Sequence, residues 1–192
     1  MIELEYKSLF SKEQHEQCIE YLKQKLGPAD EDKLQVNYYY DNGHLSFAEQ
    51  GITIRIRQKN EKLKLQIKTP IGNKNKNINA KNEIEADIEE LCYSFKIEDT
   101  PIISLLEGEV SLLGVLITER KSWKKEDKFS IDIDKNIYLG VVDYEIECEF
   151  KNEFKVEAEA FLKDVLSSLN MDYRKSESKV TRFFKRLDKV GG

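Results

Sequence analysis

Alternation with a period of two marks a β-strand, because successive side chains point to opposite faces of a sheet. In this chain the alternation recurs with the same chemistry each time. Residues 2–10, IELEYKSLF, set Ile2, Leu4 and Tyr6 against Glu3, Glu5 and Lys7. In GITIRIRQK, Ile52, Ile54 and Ile56 alternate with Thr53, Arg55 and Arg57, and in KLKLQIKTP, Leu63, Leu65 and Ile67 alternate with Lys64, Gln66 and Lys68. NEIEADI offers Glu83 and Glu85, LITERKSW offers Thr118 and Arg120, FSIDIDKN offers Asp132 and Asp134, and DYEIECEF offers Glu145, Glu147 and Glu149. With the aromatic run LQVNYYYDNGH this makes about eight strands, mostly antiparallel.

One charged face of one strand is ordinarily a solvated face. The set reads differently, because the charges come in same-sign pairs: Glu3/Glu5, Arg55/Arg57, Glu83/Glu85, Asp132/Asp134 and Glu145/Glu147. Residues i and i+2 of a strand lie about 7 Å apart on one face, so like pairs need opposite charges or ions across from them. Closing the sheet into a barrel with the charged parity inward supplies both. The fold class expected is therefore α+β, an eight-stranded antiparallel β-barrel forming a tunnel with a charged interior and flanked by α-helices. Unpaired charge in such a lumen is costly, so the lumen calls for water, metal ions and a highly charged ligand. Arginine forks suit an anion carrying several phosphates, and paired carboxylates suit a hard divalent cation.

The flanking helices are legible by their caps and stripes. Ser11 with Gln14 resembles a capping box, Ile19, Leu22 and Leu26 share a helical face, and Gly27-Pro28 form a stop. Phe161, Leu162, Val165, Leu166 and Leu169 form a second stripe; Pro101 opens a helix through Leu105 and Leu106; SESKVTRFFKRLDKV reads as a short basic helix. The stretch 71–81 reads as an Asn/Lys-rich loop.

The 192 residues suit one domain, 1–192, with no repeat and no linker. A net charge of −5 argues against a nucleic-acid partner bound through a broad basic surface. No run approaches the roughly 20 apolar residues of a membrane span, and the chain enters a charged strand without a signal-peptide pattern. Three scattered cysteines read as reduced thiols of a cytoplasmic protein. Two histidines argue against a His-built zinc site or a histidine triad.

The ordered series of charged residues resembles a known family. Glu3-Leu4-Glu5-Tyr6-Lys7 matches ExExK, and it is followed by NYYYDN, Arg55-x-Arg57, Lys68 before Thr69-Pro70, Glu83-x-Glu85, Thr118-x-Arg120, Asp132, YLG and Glu145-x-Glu147, then Lys179 and Arg182 in SKVTRF. This resembles the CYTH family, the triphosphate tunnel metalloenzymes, over nearly the whole chain, in the form of its short bacterial members. The resemblance implies a tunnel that binds triphosphate compounds with Mg²⁺ or Mn²⁺ and hydrolyses inorganic triphosphate, thiamine triphosphate or a nucleotide. An adenylyl cyclase of the same fold and a non-enzymatic polyphosphate sensor are the alternatives.

On that resemblance Lys7, Arg55, Arg57, Lys68, Arg120 and Lys179 clamp phosphates. Glu3 and Glu5 hold one cation. Glu145 and Glu147, with Glu83 or Asp132, hold or orient a second cation and the attacking water. Catalysis is expected from Glu3, Glu5, Lys68, Glu145 and Glu147, with Glu83, Glu85 and Arg182 in support. Glu83 and Glu85 have a competing reading as internal partners of Arg55 and Arg57. Asp134 is expected to be solvated at the mouth, Glu149 beyond the site, Lys59 and Lys81 on the surface, Lys64 at a rim, and Arg182, Lys185 and Arg186 on a solvated helix face. A monomer or a homodimer fits equally.

Overall fold

The structure, a computed structural model, describes residues 2–71, 79–102 and 106–191; for 2, 3, 79, 80 and 191 it describes the backbone alone. Most of the expected 71–81 loop, Leu105 and the Glu3 side chain thus lie outside the described residues.

In chain order the strands are β1 (Ile2–Phe10), β2 (Glu31–Asp41), β3 (Thr53–Lys59), β4 (Lys62–Pro70), β5 (Asn79–Ile88), β6 (Ser94–Lys96), β7 (Glu109–Lys125), β8 (Phe129–Tyr138) and β9 (Val141–Phe150). The helices are α1 (Lys12–Leu26), α2 (Ser46–Glu49), α3 (Lys155–Ser168) and α4 (Lys179–Gly191). All strand pairings are antiparallel, in the order β2-β3-β4-β5-β1-β9-β8-β7-β6. A further β2–β7 ladder, from Glu31↔Ser122 to Asp41↔Ser111, joins the two ends and closes the ring, leaving the three-residue β6 as an appendage of β7. Among the described residues no helix is long and apolar enough to cross a membrane.

The apolar parity faces outward and is covered. Tyr6, Trp123, Ile131, Ile133, Ile146 and Cys148 pack with Cys18 and Leu22 of α1 and with Ala158, Leu162 and Val165 of α3. Ile54, Ile56, Leu65 and Ile67 pack with Phe47 of α2 and with Ile97, Ile102 and Val110. Burying a side chain of this size stabilises by about 1.5–3 kcal/mol, so the helices hold the barrel from outside. The capping box of α1 is present, with Ser11 Oγ accepting from Gln14 N and Gln14 Oε1 accepting from Ser11 N. Asp41 is buried and accepts from the backbone N–H groups of Asn42, Phe47 and Ala48, which pins α2 to the end of β2.

Two elements differ from the sequence reading. Strand β7 begins at Glu109, well before Leu116. Opposite β2, Tyr39 pairs with Gly114 but Tyr40 with Leu112, so Leu113 sits in a bulge that breaks the alternation. Before Pro101 the chain makes a short 3₁₀ turn, Ile97–Asp99, that the alternation does not announce, whereas the helix expected from Pro101 through Leu105 and Leu106 lies largely outside the described residues.

Helix α4 packs on inward-facing residues at one end of the ring. Phe183 is fully buried among Tyr39, Leu116 and Tyr138, and Ser178, Lys179 and Val180 at its N-terminal end line the interior cavity.

Candidate active site

The interior is one cavity of about 640 Å³ whose lining is overwhelmingly charged or polar. Its two sides have opposite sign. Strands β8, β9 and β1 supply Asp132, Glu147, Glu149 and Glu5, whereas β3, β4 and β5 supply Arg55, Arg57, Lys68 and Lys81. The sheet register sets these positions: Lys7 lies opposite Glu147, Asp132 opposite Glu147, Asp134 opposite Glu145, and Arg120 opposite Asp134.

On the acidic side the charges are knitted together. Arg120 donates from Nε to Asp134 Oδ1 at 2.7 Å, from Nη2 to Asp134 Oδ2 at 2.6 Å and to Glu147 Oε2 at 2.5 Å, and from Nη1 to Asp132. Lys179 reaches in from α4 to Asp134 (2.6 Å), Glu145 (3.0 Å) and Glu147 (3.3 Å). Arg182 grips Asp143 at 2.8 Å and Glu145 at 3.1 Å. Lys7 Nζ stands 2.9 Å from both Glu5 and Glu147. Burial alone would lower Arg120 and Lys7, but these carboxylates hold both well above their ordinary ranges. Burial would likewise raise Asp134 and Glu147, yet Arg120 and Lys179 hold Asp134 down, and Lys179, Lys7 and Arg120 hold Glu147 far down.

The basic side is not compensated in this way. Arg55 is 5% exposed; its Nε donates to Gln66 Oε1 at 2.8 Å, and its Nη2 has no hydrogen-bond partner among the described residues. Arg57 Nε donates to Asn37 Oδ1 at 2.9 Å. Both partners are neutral amides. Burial, with Arg55 and Arg120 close by, pulls the Arg57 guanidinium down to about 10. Cations buried without counter-charge cost free energy, and that cost is recovered when an anion enters between them.

Among the described residues the acidic side also holds two sets of three carboxylates whose ligand oxygens all lie within 4.8 Å of one another: Glu5, Glu147 and Glu149, and Asp134, Glu145 and Glu147. The second set is already met by Arg120, Lys179 and Arg182. In the first set burial, together with Glu147 and Glu149, raises the Glu5 carboxyl even though Lys7 opposes the shift. A cluster of hard oxygen donors with surplus negative charge fits a divalent cation.

Of the residues singled out in the sequence, Glu5, Lys7, Arg55, Arg57, Lys68, Arg120, Asp132, Glu147 and Lys179 line the one cavity, and Glu145 is buried behind them. Glu83 and Glu85 do not pair with Arg55 and Arg57. Their ladder partners on β4 take them instead: Lys68 pairs with Glu83, while Lys64 and Gln66 bond Glu85. Asp134 is not solvated but has 0% exposure. Glu149 is part of the site, 3.7 Å from Arg120 and in the first carboxylate set. Lys81 is turned into the cavity rather than onto the surface. Arg182 leaves the solvated face of α4 for Asp143 and Glu145, while Lys185 pairs with Glu177 on the exposed side. Lys59 and Lys64 are exposed at the mouth. Glu149 and Lys81 share the inward parity of residues already chosen, so the parity rule itself could have found them.

Closed ring, ionic interior and outer helices are the features of a triphosphate tunnel fold, and comparison with known proteins agrees. The CYTH domain matches residues 1–184, and the chain belongs to the CYTH family. It is 25% identical over 196 residues to YjbK of Bacillus subtilis (strain 168), named as a candidate triphosphatase, with 98% of this chain and 97% of that protein covered. A crystal structure from Bacillus halodurans, described as a candidate adenylate cyclase, superposes with a TM-score of 0.70 at 25% identity, covering 95% of this chain and 97% of that one. HpAC1 from Hippeastrum, described as a candidate adenylyl cyclase with a dominant triphosphatase activity, superposes with a TM-score of 0.74 at 21% identity over 95% of each chain, which is a likeness of fold.

Proposed function

We propose that this protein is a divalent-metal-dependent triphosphatase that hydrolyses a phosphoanhydride bond of inorganic triphosphate or of an organic triphosphate held inside the tunnel. The observation that carries the reading is the pair Arg55 and Arg57: one buried and one half-buried guanidinium with neutral partners, facing a carboxylate cluster across the same cavity. A phosphate chain with a bound cation satisfies both sides at once.

In this reading Arg55, Arg57 and Lys68 bind phosphate oxygens from the basic side. Lys7, Arg120 and Lys179 lie at the border of the acidic side, where they lock the carboxylates in place and meet charge that develops on the phosphoryl group. Glu5, Glu147 and Glu149, with Glu3 from the same strand as Glu5, would hold Mg²⁺ or Mn²⁺, and Asp132 lies beside them. Bound there, such an ion supplies Lewis-acid neutralisation of phosphate charge and a water of lowered pKa. Positioning and charge compensation carry most of the chemistry of phosphoryl transfer.

A cyclase reading competes, because several similar structures are described as candidate adenylate cyclases. Cyclisation of ATP needs a site for adenine. Among the described residues lining the cavity the aromatic side chain is Tyr39, itself packed on Phe183 of α4 at a centroid distance of 4.9 Å. That lining favours the phosphate chain over a base. The test is release of phosphate from inorganic triphosphate, thiamine triphosphate and ATP with Mg²⁺ or Mn²⁺, with cyclic AMP assayed in parallel. Phosphate from at least one of them, dependent on the cation, is the expected result. Cyclic AMP as the main product from ATP, or tight binding of triphosphate with no turnover under any cation, would overturn it.

A further inference from the structure

Lys81, expected on the surface from the sequence, lines the cavity instead, and its surroundings are unusual. It stands on β5, opposite Pro70 of β4 on one side and Glu3 of β1 on the other. Its Nζ donates to Thr53 Oγ1 at 3.4 Å, a long bond to a neutral group. Among the described residues no carboxylate comes within ion-pair distance of it. The ionic groups that act on it most are cationic, Lys68, Lys7 and Arg55, with Glu5 the opposing charge. Burial followed by Lys68 and Lys7 brings its ammonium down to about 8. Arg55, whose Nη2 has no hydrogen-bond partner among the described residues, is bonded into the same wall.

A lysine in such a place weakens the ligand-free fold. The residue that would relieve this on structural grounds is an apolar one of similar length, because among the described residues Lys81 has one long hydrogen bond and no ion pair. An ammonium kept at a net cost, facing a cavity beside an unsatisfied guanidinium nitrogen, belongs to a ligand.

Resting on the triphosphatase reading, we infer that Lys81 is a direct phosphate-binding residue, which with Arg55 Nη2 and Lys68 forms a subsite on the β3–β5 wall for one phosphate of the chain. The inference deepens that reading by adding a contact that the motif resemblance does not assign.

The test is binding of inorganic triphosphate without added divalent cation, measured by calorimetry, for the wild-type chain, Lys81→Met and Lys81→Arg, alongside thermal unfolding of each with and without the ligand. Lys81→Met should weaken binding at least about tenfold, the scale of one lost charge-assisted contact. Its ligand-free melting temperature should be equal to or above that of the wild type, and triphosphate should raise it less. Lys81→Arg, which keeps the charge, should bind within about threefold of the wild type. The inference is overturned if Lys81→Met binds as the wild type does, or if the ligand-free variant melts well below it, since that is the mark of a structural role. Wild-type binding with unchanged Lys81→Met binding defeats this inference and leaves the triphosphatase reading standing; failure of the wild type to bind triphosphate without added cation defeats this inference, and failure with Mg²⁺ or Mn²⁺ as well defeats both.

Discussion

Arg120 and Asp134 meet twice across the β7–β8 ladder, Nε to Oδ1 at 2.7 Å and Nη2 to Oδ2 at 2.6 Å, with both residues buried. The same guanidinium also serves Asp132 and Glu147. One cation therefore answers three carboxylates, and the acidic side of the cavity depends on it.

Removing Arg120 leaves those carboxylates buried and short of counter-charge. Arg120→Ala is expected to destabilise the fold by about 3–5 kcal/mol, the usual cost of breaking a buried pair from one side. Urea unfolding measures it. A loss below about 1 kcal/mol would place these groups in an environment as forgiving as a surface pair.

Arg57 should behave in the opposite way. It is a cation among cations, held by a neutral amide. Arg57→Met is expected to leave the melting temperature unchanged or higher while lowering turnover at least about tenfold, a modest figure for a lost transition-state contact. Thermal unfolding and phosphate release on the same preparation check both halves. A destabilised variant of normal activity would reverse the assignment.

Asp132 gives the pH dependence a sign. Burial raises its carboxyl to about 6 despite Arg120, whereas an unfolded aspartate titrates near 3.9. Between those values the folded state holds more protons than the unfolded state, so this group lowers stability as pH rises through the window. Asp132→Asn cannot titrate. Relative to the wild type it should gain stability as pH goes from about 4 to about 7, by on the order of 2 kcal/mol. Denaturant midpoints across that range measure the difference. Parallel curves would contradict it.

Gly114 controls the seat of α4. A Cβ built there would lie 2.9 Å from Phe183 Cζ, inside contact distance. Gly114→Ala is expected to push the ring away at a cost of about 1–3 kcal/mol and, because α4 carries Lys179, to reduce activity. Lys179→Met should reduce activity without disturbing the packing of Phe183. Wild-type stability and activity in Gly114→Ala would show that α4 is seated more loosely than its contacts indicate.

The alternation of charged and apolar residues made the barrel legible, because a period of two assigns whole strands to inside or outside. It also brought Glu5, Lys7, Arg55, Arg57, Lys68, Arg120, Asp132 and Glu147 to one cavity, which Lys179 of helix α4, named through the family resemblance, joins. It failed where the period itself fails. The bulge at Leu113 flips the parity of β7, and Gly114 lies beneath Phe183, so the strand's first half carries no clean alternation. The three residues of β6 are too few to show a period. Partners across the ladder were also out of reach. Whether Glu83 meets Arg55 or Lys68 depends on register, which parity leaves open. Alternation could not choose between the supporting and the solvated reading of Arg182, because a basic helix looks the same whether it lies in solvent or closes against acids.

The claim underlying all of this is that a phosphate chain and a divalent cation occupy the space between the two walls. A crystal structure of the protein with inorganic triphosphate and Mn²⁺, with an anomalous map for the metal, tests it most directly. The expected result is a manganese peak at the Glu5–Glu147–Glu149 carboxylates, with phosphate density running from it to Arg55 and Arg57. Manganese and phosphate bound only on the outer surface, with the cavity holding water alone, would contradict it.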